Sequence, residues 1–552
     1  MYVKKMKRVA SLLLAVVFLL LCVPQAPQAE AVVEKTGDFN GDGVVTEEDV
    51  IYLLWYTVDP AGHPLNGWAD FNDNSLVTEE DVIYLLWHTV DPETYPLGID
   101  PADRVFKAGF GVEDISPKAS VPLDSYGDAE RRFSTGSYAP LEARCVAVRD
   151  AEGQLLLFLT GDVSWSPNAL GKAVRNELSA ELGIPADHIV CSGTHTHASV
   201  ATSLTKYPSV VDFNAGYIAG MKKAAYEAIE DLKPAEVYVG SVQTQRMNFV
   251  RRYIMDDGSL VGDNAYGTGT KIVRHETDAD PEMQLMRFVR EGSKDILISQ
   301  FQAHPHLEGK TYNYSSQTVG AIRAAVESTL GAHSLHWNGA SGNLNTHSRI
   351  TSENKYTQNY SGAVKYGKDM CVYIQTAYNK LTKVETGSIQ VRKVTYTANV
   401  NHLYDHMLTE AQKIVDYFKA GNSAGASATY AHNLTKNCDM RINSYYHANR
   451  ILANAKLGAT KSMDLLAWSF GDVGGVVLPY EMFDTSGMQM KTQSPFERTF
   501  IVGYSYPSYG GYIPTREGFA NGGYESDNCT FAPGTAEGMV SEYLKMLDDM
   551  HK

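Results

Sequence analysis

Short apolar runs that end at glycine, serine or a polar residue alternate with longer amphipathic stretches from about residue 105 onward. Runs rich in β-branched and aromatic residues predict strands at 106–110, 145–148, 154–160, 189–191, 237–242, 296–301 and 473–478. Apolar positions at helical spacing predict helices at 168–182, 217–232, 319–330, 363–380 and 535–550. The alternation predicts an α/β domain over residues 105–552, with helices covering a mixed sheet.

The first residues have the pattern of a targeting segment. A basic start that includes Lys4 and Arg8 precedes the apolar run 9–23, which is too short to span a bilayer comfortably. Ala29-Glu30-Ala31 then fits a small-x-small cleavage site. We therefore predict a signal peptide at 1–31, a secreted protein, and no transmembrane segment in the mature chain.

A twelve-residue repeat follows. Residues 38–49 (DFNGDGVVTEED) recur as residues 70–81 (DFNDNSLVTEED), and each copy leads into the apolar start of a helix, VIYLLW. Oxygen ligands at positions 1, 3, 5, 7, 9 and 12 are what calcium requires in an EF-hand loop. The predicted calcium ligands are Asp38, Asn40, Asp42, the Val44 carbonyl, Thr46 and Asp49 in the first loop, and Asp70, Asn72, Asn74, Thr78 and Asp81 in the second. We expect weaker binding in the second loop, because Asn74 replaces a carboxylate and Ser75 replaces the turn glycine.

The charge of the chain is concentrated in this repeat. Residues 32–99 contain one lysine and fourteen acidic residues, which is −13 of a net charge of −16. Acidity confined to one short segment indicates cation binding there. A chain of this charge is not expected to bind nucleic acid.

Histidine pairs follow two of the predicted strands. His195 and His197 come directly after strand 189–191, and in an extended segment residues two apart point to the same side. His304-Pro305-His306 follows strand 296–301 in the same way. A catalytic zinc site needs about three protein ligands, and sites beyond strand ends are usual in α/β domains. The five cysteines after residue 31 include no C-x-x-C pair, which excludes a zinc ribbon.

The order of motifs in the large domain resembles that of neutral, non-lysosomal ceramidases, which are zinc amidases. The matching motifs are FGVEDI at 110–115, LEAR at 141–144, GD at 161–162, SGTHTH at 192–197, AHP at 303–305, LPYE at 478–481, YIPTRE at 512–517 and GYE at 523–525. The zinc ligands that this resemblance implies are His195, His304, Glu481 and Tyr512. It also implies His197 as the proton carrier and Tyr524 as a catalytic tyrosine. Arg251 is the implied catalytic arginine, although Arg252 beside it remains an alternative, because Val250 stands where the family has asparagine.

The resemblance implies hydrolysis of the N-acyl amide bond of ceramide or of a related N-acyl lipid. Residues 35–97 resemble a type I dockerin, a small all-α module of EF-hand type, which implies attachment to a cohesin domain of a scaffold protein. Because dockerins normally deliver enzymes to polysaccharide or glycoprotein, a carbohydrate-active hydrolase or esterase is an alternative. The second alternative is a non-catalytic binding module.

Overall fold

The computed structural model describes residues 37–65, 69–71, 77–92, 94–95, 97, 105–126, 129–165, 168–262, 271–507 and 510–552. The predicted signal peptide and the predicted calcium ligands Asn72 and Asn74 lie outside these ranges. The chain divides into two compact units, the first formed mainly by the described residues up to Val105 and the second by most of the remainder.

The described part of the first unit contains two equivalent helices of the repeat: α1, Glu47–Val58, and α2, Glu79–Val90. Each begins with a capping box. The amide of Thr46 donates to Asp49 Oδ2 at 2.8 Å, and the amide of Thr78 donates to Asp81 Oδ2 at 2.8 Å. The apolar faces of both helices pack into one small core, which includes the buried residues Val50, Leu53, Leu54, Val82, Leu85 and Leu86.

The first repeat loop is held by its own acidic side chains. Asp38 accepts hydrogen bonds from the amides of Gly41 at 2.8 Å and Gly43 at 2.9 Å. Asp42 Oδ1 accepts one from the amide of Val44 at 2.9 Å. Gly41 and Gly43 have φ of +77° and +92°, a region that glycine enters without strain. The loop therefore has the tight turn that the repeat pattern predicts.

A mixed sheet is the main feature of the second unit. In the described part of this unit it has nine strands. They are β1 Lys107–Asp114, β2 Glu142–Arg149, β3 Leu155–Gly161, β4 Ile189–Gly193, β5 Lys233–Gln243, β6 Glu282–Arg290, β7 Ile296–Phe301, β8 His333–Asn338 and β9 Thr382–Val384. The order is β8-β7-β6-β5-β1-β2-β3-β4, and β9 pairs with β5. The pairs β3–β4 and β7–β8 are parallel, and the others are antiparallel.

A second sheet faces the first. Its strands, in spatial order, are β10 Ile389–Asn399, β11 Thr460–Phe470, β12 Val473–Val477 and β13 Arg498–Val502. The ring of Phe158 on β3 lies 5.2 Å from that of Trp337 on β8 and 4.7 Å from that of Trp468 on β11, so side chains of both sheets share one core. The α/β prediction is confirmed, but the single sheet is corrected to two. A strand buried on both faces has the same apolar pattern whichever sheet it joins.

Helices cover the outer faces of both sheets. The helices in the described part of the chain beyond residue 105 are, in order, α3 Asn168–Leu182, α4 Pro208–Glu230, α5 Gln317–Leu330, α6 Tyr360–Tyr378, α7 Leu408–Lys419, α8 Ala424–Thr435, α9 Tyr445–Asn454, α10 Asp484–Gln493, α11 Arg516–Ala520, α12 Tyr524–Asp527 and α13 Thr535–His551. Helix α4 packs tightly on β1, since a Cβ at Gly111 would lie only 2.1 Å from the Ala224 carbonyl oxygen. Helices α7 to α9 form a small core of their own, which the apolar pattern did not predict.

Several two-residue to four-residue strands lie among the loops at the ends of the large strands. They are Gly136–Ser137, Phe249–Val250, Arg252–Met255, Leu260–Gly262, Ile272–His275, Asn313–Tyr314, Leu344–Asn345, Glu481–Met482 and Tyr512–Ile513. Across the described ranges, no helix combines the length and the apolar character that crossing a bilayer requires.

Candidate metal centre

Three histidines from two strand ends meet in one buried cluster. Ligand nitrogens of His195, His197 and His304 all lie within 4.8 Å of one another. The Nε2 atoms of His195 and His197 are 3.1 Å apart. Strand β4 ends at Gly193, so the two residues are not on an extended strand. His195 has φ of +60°, and the turn, in place of the predicted strand alternation, brings the two rings together.

Backbone carbonyls orient two of these imidazoles. His195 Nδ1 donates to the Ser164 carbonyl at 2.6 Å, and His304 Nδ1 donates to the Ser341 carbonyl at 3.0 Å. Because the Nδ1 atom carries the proton, the Nε2 lone pair of each ring is available to a metal ion. Both histidines are almost fully buried.

Glu481 completes the cluster from a different part of the chain. Its Oε2 atom lies 3.0 Å from His304 Nε2 and 3.9 Å from His195 Nε2. Glu481 Oε2 and His304 Nε2 are buried, and neither has a hydrogen-bond partner. Two electron-pair donors facing each other at this distance repel unless a proton or a metal cation lies between them. The donor set therefore fits a metal ion that takes nitrogen and oxygen ligands.

Burial sets the protonation of the cluster. It lowers the pKa of His195 to about 3 and the pKa values of His197 and His304 well below the ordinary value. Burial also raises the pKa of Glu481 to about 7, with the charges of His195 and Arg251 opposing the shift. The imidazoles are therefore neutral at neutral pH, which is the form that binds metals.

Tyr512 reaches the cluster through a two-residue strand. Tyr512–Ile513 pairs in parallel with Glu481–Met482, and Tyr512 is the direct register partner of Glu481. Burial, followed by the charge of Glu481, raises the pKa of Tyr512 well above the ordinary value. The ring of Tyr524, at the start of α12, lies 5.5 Å from that of Tyr512. The structure thus brings together all of the zinc-site residues predicted from the motifs, with His197 and Tyr524 beside them.

The two neighbouring arginines have different surroundings. Arg251 Nε donates to Glu525 Oε1 at 2.9 Å, and its side chain lines the cleft beside the histidines. Arg252 points away, with Nη1 3.1 Å from Glu525 Oε2 and further bonds to Glu276 and two backbone carbonyls. Of the two alternatives, only Arg251 lines the cleft in the described part of the chain.

The cleft above the cluster has a volume of about 520 Å³. Aromatic and polar side chains line it together with the predicted residues. Those not predicted from the sequence are Asp124, Ser125, Tyr126, Trp165, His306, Tyr446, Arg450 and Asn528. Of these residues, only His306 was indicated by the sequence, because it belongs to the histidine pair at 304–306.

Tyr504 is a further residue that the sequence analysis missed. Its ring stacks on that of His195 with centroids 3.8 Å apart and an interplanar angle of 11°. Its hydroxyl bonds with Ser341 Oγ at 2.8 Å, and Ser341 also supplies the carbonyl that orients His304. Tyr504 thus stacks on His195 and bonds to the residue that orients His304, although no motif around it indicates this.

Comparisons with known proteins give a consistent result. No family model matches the chain. Neutral ceramidase 3 of Arabidopsis thaliana is 24% identical over 201 residues, which are 34% of this chain and 26% of the plant protein. The match thus spans about a quarter of that relative's length.

Two solved structures share the fold. The crystal structure of neutral ceramidase from Pseudomonas aeruginosa superposes with a TM-score of 0.61 at 16% identity, over 81% of this chain and 74% of that one. A structure described as ceramidase complexed with C2 has a TM-score of 0.60 at 15% identity, over 81% and 75% of the two chains. The predicted resemblance of the large domain to neutral ceramidases is therefore supported by sequence and by fold.

Proposed function

We propose that this chain is a secreted zinc-dependent amidase that hydrolyses the N-acyl amide bond of ceramide or of a related N-acyl lipid. The observation that carries the proposal is a pair of buried ligand atoms, His304 Nε2 and Glu481 Oε2. They lie 3.0 Å apart, and neither has a hydrogen-bond partner. The similarity to neutral ceramidases supports the choice of amide hydrolysis over other metal-dependent reactions.

In this proposal His195, His304, Glu481 and Tyr512 hold the metal. Two neutral imidazoles, a carboxylate and a phenol are ligands that suit zinc. When bound, zinc supplies a Lewis acid for the amide carbonyl and acidifies a water molecule.

His197 is the proposed proton carrier. Burial keeps its imidazole neutral at neutral pH, so the ring can accept a proton. The amide of His197 donates to Gln317 Oε1 at 2.8 Å, which positions the residue beside His195. The ring accepts a proton from the attacking water and donates it to the leaving nitrogen, which must be protonated because an amine anion does not leave.

Arg251 and Tyr524 are the proposed donors to the oxyanion. The guanidinium carbon of Arg251 lies 5.4 Å from the centroid of the Tyr512 ring, and Tyr524 flanks the same ring. Both side chains line the cleft. Preorganised donors of this kind each lower a barrier by about 3–4 kcal/mol. The pairing with Glu525 holds Arg251 in place before substrate binds.

We further propose that residues 35–97 are a dockerin-like calcium module that binds a cohesin domain. The repeat sequence and its capped helices support this, as does the loop folded around Asp38. A cohesin-bound, extracellular enzyme is the arrangement that this module implies.

The test combines metal analysis with turnover. The purified chain should contain one zinc ion per molecule that His304→Ala removes, while exposed His406→Ala retains it. Short-chain and long-chain N-acylsphingosines should be hydrolysed to fatty acid and sphingoid base. Absence of stoichiometric zinc would contradict the metal site, whereas activity on acetylated sugars alone would favour the carbohydrate-esterase alternative.

A further inference from the structure

Two arginines line the cleft, and only one of them forms an ion pair with a carboxylate among the described residues. Arg251 is paired with the buried carboxylate of Glu525 at 2.9 Å. Arg450, on helix α9, lines the same cleft. Among the residues that the structure describes, no carboxylate lies within 4.0 Å of the Arg450 guanidinium. The cleft therefore presents one guanidinium that forms no ion pair within the described residues, although the carboxylates of Asp124 and Glu481 line the same cleft.

The side chain of Arg450 is fixed in direction. Nη1 donates to Thr530 Oγ1 at 2.8 Å. Nη2 lies 3.3 Å from the position that a Cβ on Gly511 would occupy, so the guanidinium lies against the backbone next to Tyr512. Nε is buried and has no hydrogen-bond partner.

Helix α9 is itself tied to the segment that carries Tyr524. His447 Nδ1 lies 3.1 Å from Asp527 Oδ1, and Asn443 Nδ2 donates to the same carboxylate at 3.0 Å. An anchored helix therefore holds the guanidinium of Arg450 at the wall of the cleft.

Burying half of a guanidinium without a counter-ion costs free energy, unless a bound ligand supplies the negative charge. Burial lowers the pKa of Arg450, and the ionisable groups that oppose the shift, Cys529, Tyr480 and Tyr524, are not carboxylates. A planar guanidinium matches a carboxylate with two parallel hydrogen bonds. Ceramide carries no charge that this arginine would bind.

We propose that Arg450 is a substrate-binding residue that selects N-acyl amides carrying a carboxylate close to the scissile bond, as N-acyl amino acids do. The inference rests on the proposed amidase function and narrows its substrate class. Arg450 lies against Gly511, the residue before the proposed ligand Tyr512, so a carboxylate bound there is near the proposed metal site.

The test compares an N-acylglycine with the N-acylethanolamine of the same chain length, which has an alcohol in place of the carboxylate. The wild-type enzyme should show a kcat/KM about tenfold to a hundredfold higher for the N-acylglycine, as expected for a charge-assisted hydrogen bond. Arg450→Gln should abolish this preference by slowing only the N-acylglycine, and Arg450→Lys should keep part of it. Arg392→Gln, at an exposed arginine on β10, is the matched control.

Binding is measured separately, by calorimetric titration of both compounds into the His197→Gln variant with and without Arg450→Gln. If neither compound is hydrolysed but the Arg450-dependent preference in binding remains, the proposed function fails and the recognition of the carboxylate stands. Equal losses for both compounds on Arg450→Gln, or a wild-type preference for the alcohol, overturn the inference. If Arg450→Gln does not fold, Thr530→Val, which removes the acceptor of Nη1, should reduce the preference severalfold, and an unchanged preference overturns the inference.

Discussion

Glu481 and Tyr512 are direct register partners in a parallel pair of two-residue strands. This short pairing delivers a carboxylate and a phenol to one point, although they are thirty-one residues apart in sequence. The amide of Glu481 also donates to the Gly511 carbonyl at 3.1 Å, which holds the two segments together. Changes at either residue should therefore report on the metal site.

Replacing Glu481 with glutamine should weaken zinc binding by at least about a hundredfold. The substitution preserves the shape of the side chain but removes the negative charge that balances the charge of the zinc ion. The remaining proposed ligands are neutral. Competition titration with a zinc chelator measures the change. Exposed Glu517→Gln is the control, and equal affinities of the two variants would exclude Glu481 as a ligand.

Tyr504 should affect the metal through its ring and less through its hydroxyl. Tyr504→Ala removes the surface on which His195 stacks, so zinc affinity should fall about tenfold to a hundredfold, as for other residues that orient ligands. Tyr504→Phe keeps the ring and loses only the bond to Ser341 Oγ, so its affinity should stay within a few-fold of wild type. Chelator competition on both variants measures this. Similar losses in both would show that the hydroxyl, and not stacking, supports the site.

The two arginines should separate catalysis from stability. Arg251→Gln should lower kcat by about a hundredfold to a thousandfold if Arg251 donates to the oxyanion, while Glu525 keeps Arg252 as its partner. Arg252→Gln should instead lower the free energy of unfolding by about 3–5 kcal/mol, because it leaves the carboxylate of Glu276, which is only 10% exposed, beside an uncharged group. Steady-state kinetics and urea unfolding on both variants measure the two effects. The reverse pattern would assign the catalytic role to Arg252.

His336 should make the folded state sensitive to acid. Burial, followed by the charge of Arg323, lowers its pKa to about 3, whereas in the unfolded chain the pKa is near the ordinary 6.5. Between these values the unfolded chain binds a proton that the folded chain does not, so stability falls as the pH falls below 6.5. At pH 5 this amounts to about 2 kcal/mol.

Urea unfolding of the zinc-loaded protein at pH 7 and pH 5 measures this dependence. His336→Gln should lose stability at pH 7, because the bond to Ser299 Oγ at 2.8 Å is altered, but its decline toward pH 5 should be about 2 kcal/mol smaller. Exposed His551→Gln should decline as the wild type does. A variant with the wild-type slope would show that His336 does not cause the effect.

Calcium binding and zinc binding should be independent of each other. Asp38→Ala removes the first ligand of the first loop, so the calcium stoichiometry of the full chain should fall by one while its zinc content is unchanged. His304→Ala should have the opposite effect. Calorimetric titration with calcium and elemental analysis for zinc measure both, and calcium binding unaltered by Asp38→Ala would contradict the assignment of that loop.

Much of the candidate site was predictable because its signals are local. The apolar run of β4 stops before the first histidine pair and that of β7 stops before the second, and the end of a strand depends on the residues at that point. The resemblance of the motif at 478–481 to the ceramidase family indicated Glu481, and the repeat at 38–49 indicated the turn of the first acidic loop. These features required no knowledge of which strands pair.

The tertiary structure alone decided the remaining features, because each depends on residues far apart in the sequence. Arg251 faces the cleft and Arg252 does not, since the fold positions Glu525 between them from more than 270 residues away. The chain has thirty-three tyrosines, and only packing identifies Tyr504 as stacked on His195. The choice of two sheets over one has the same origin, since the apolar pattern records burial but not the partner that causes it.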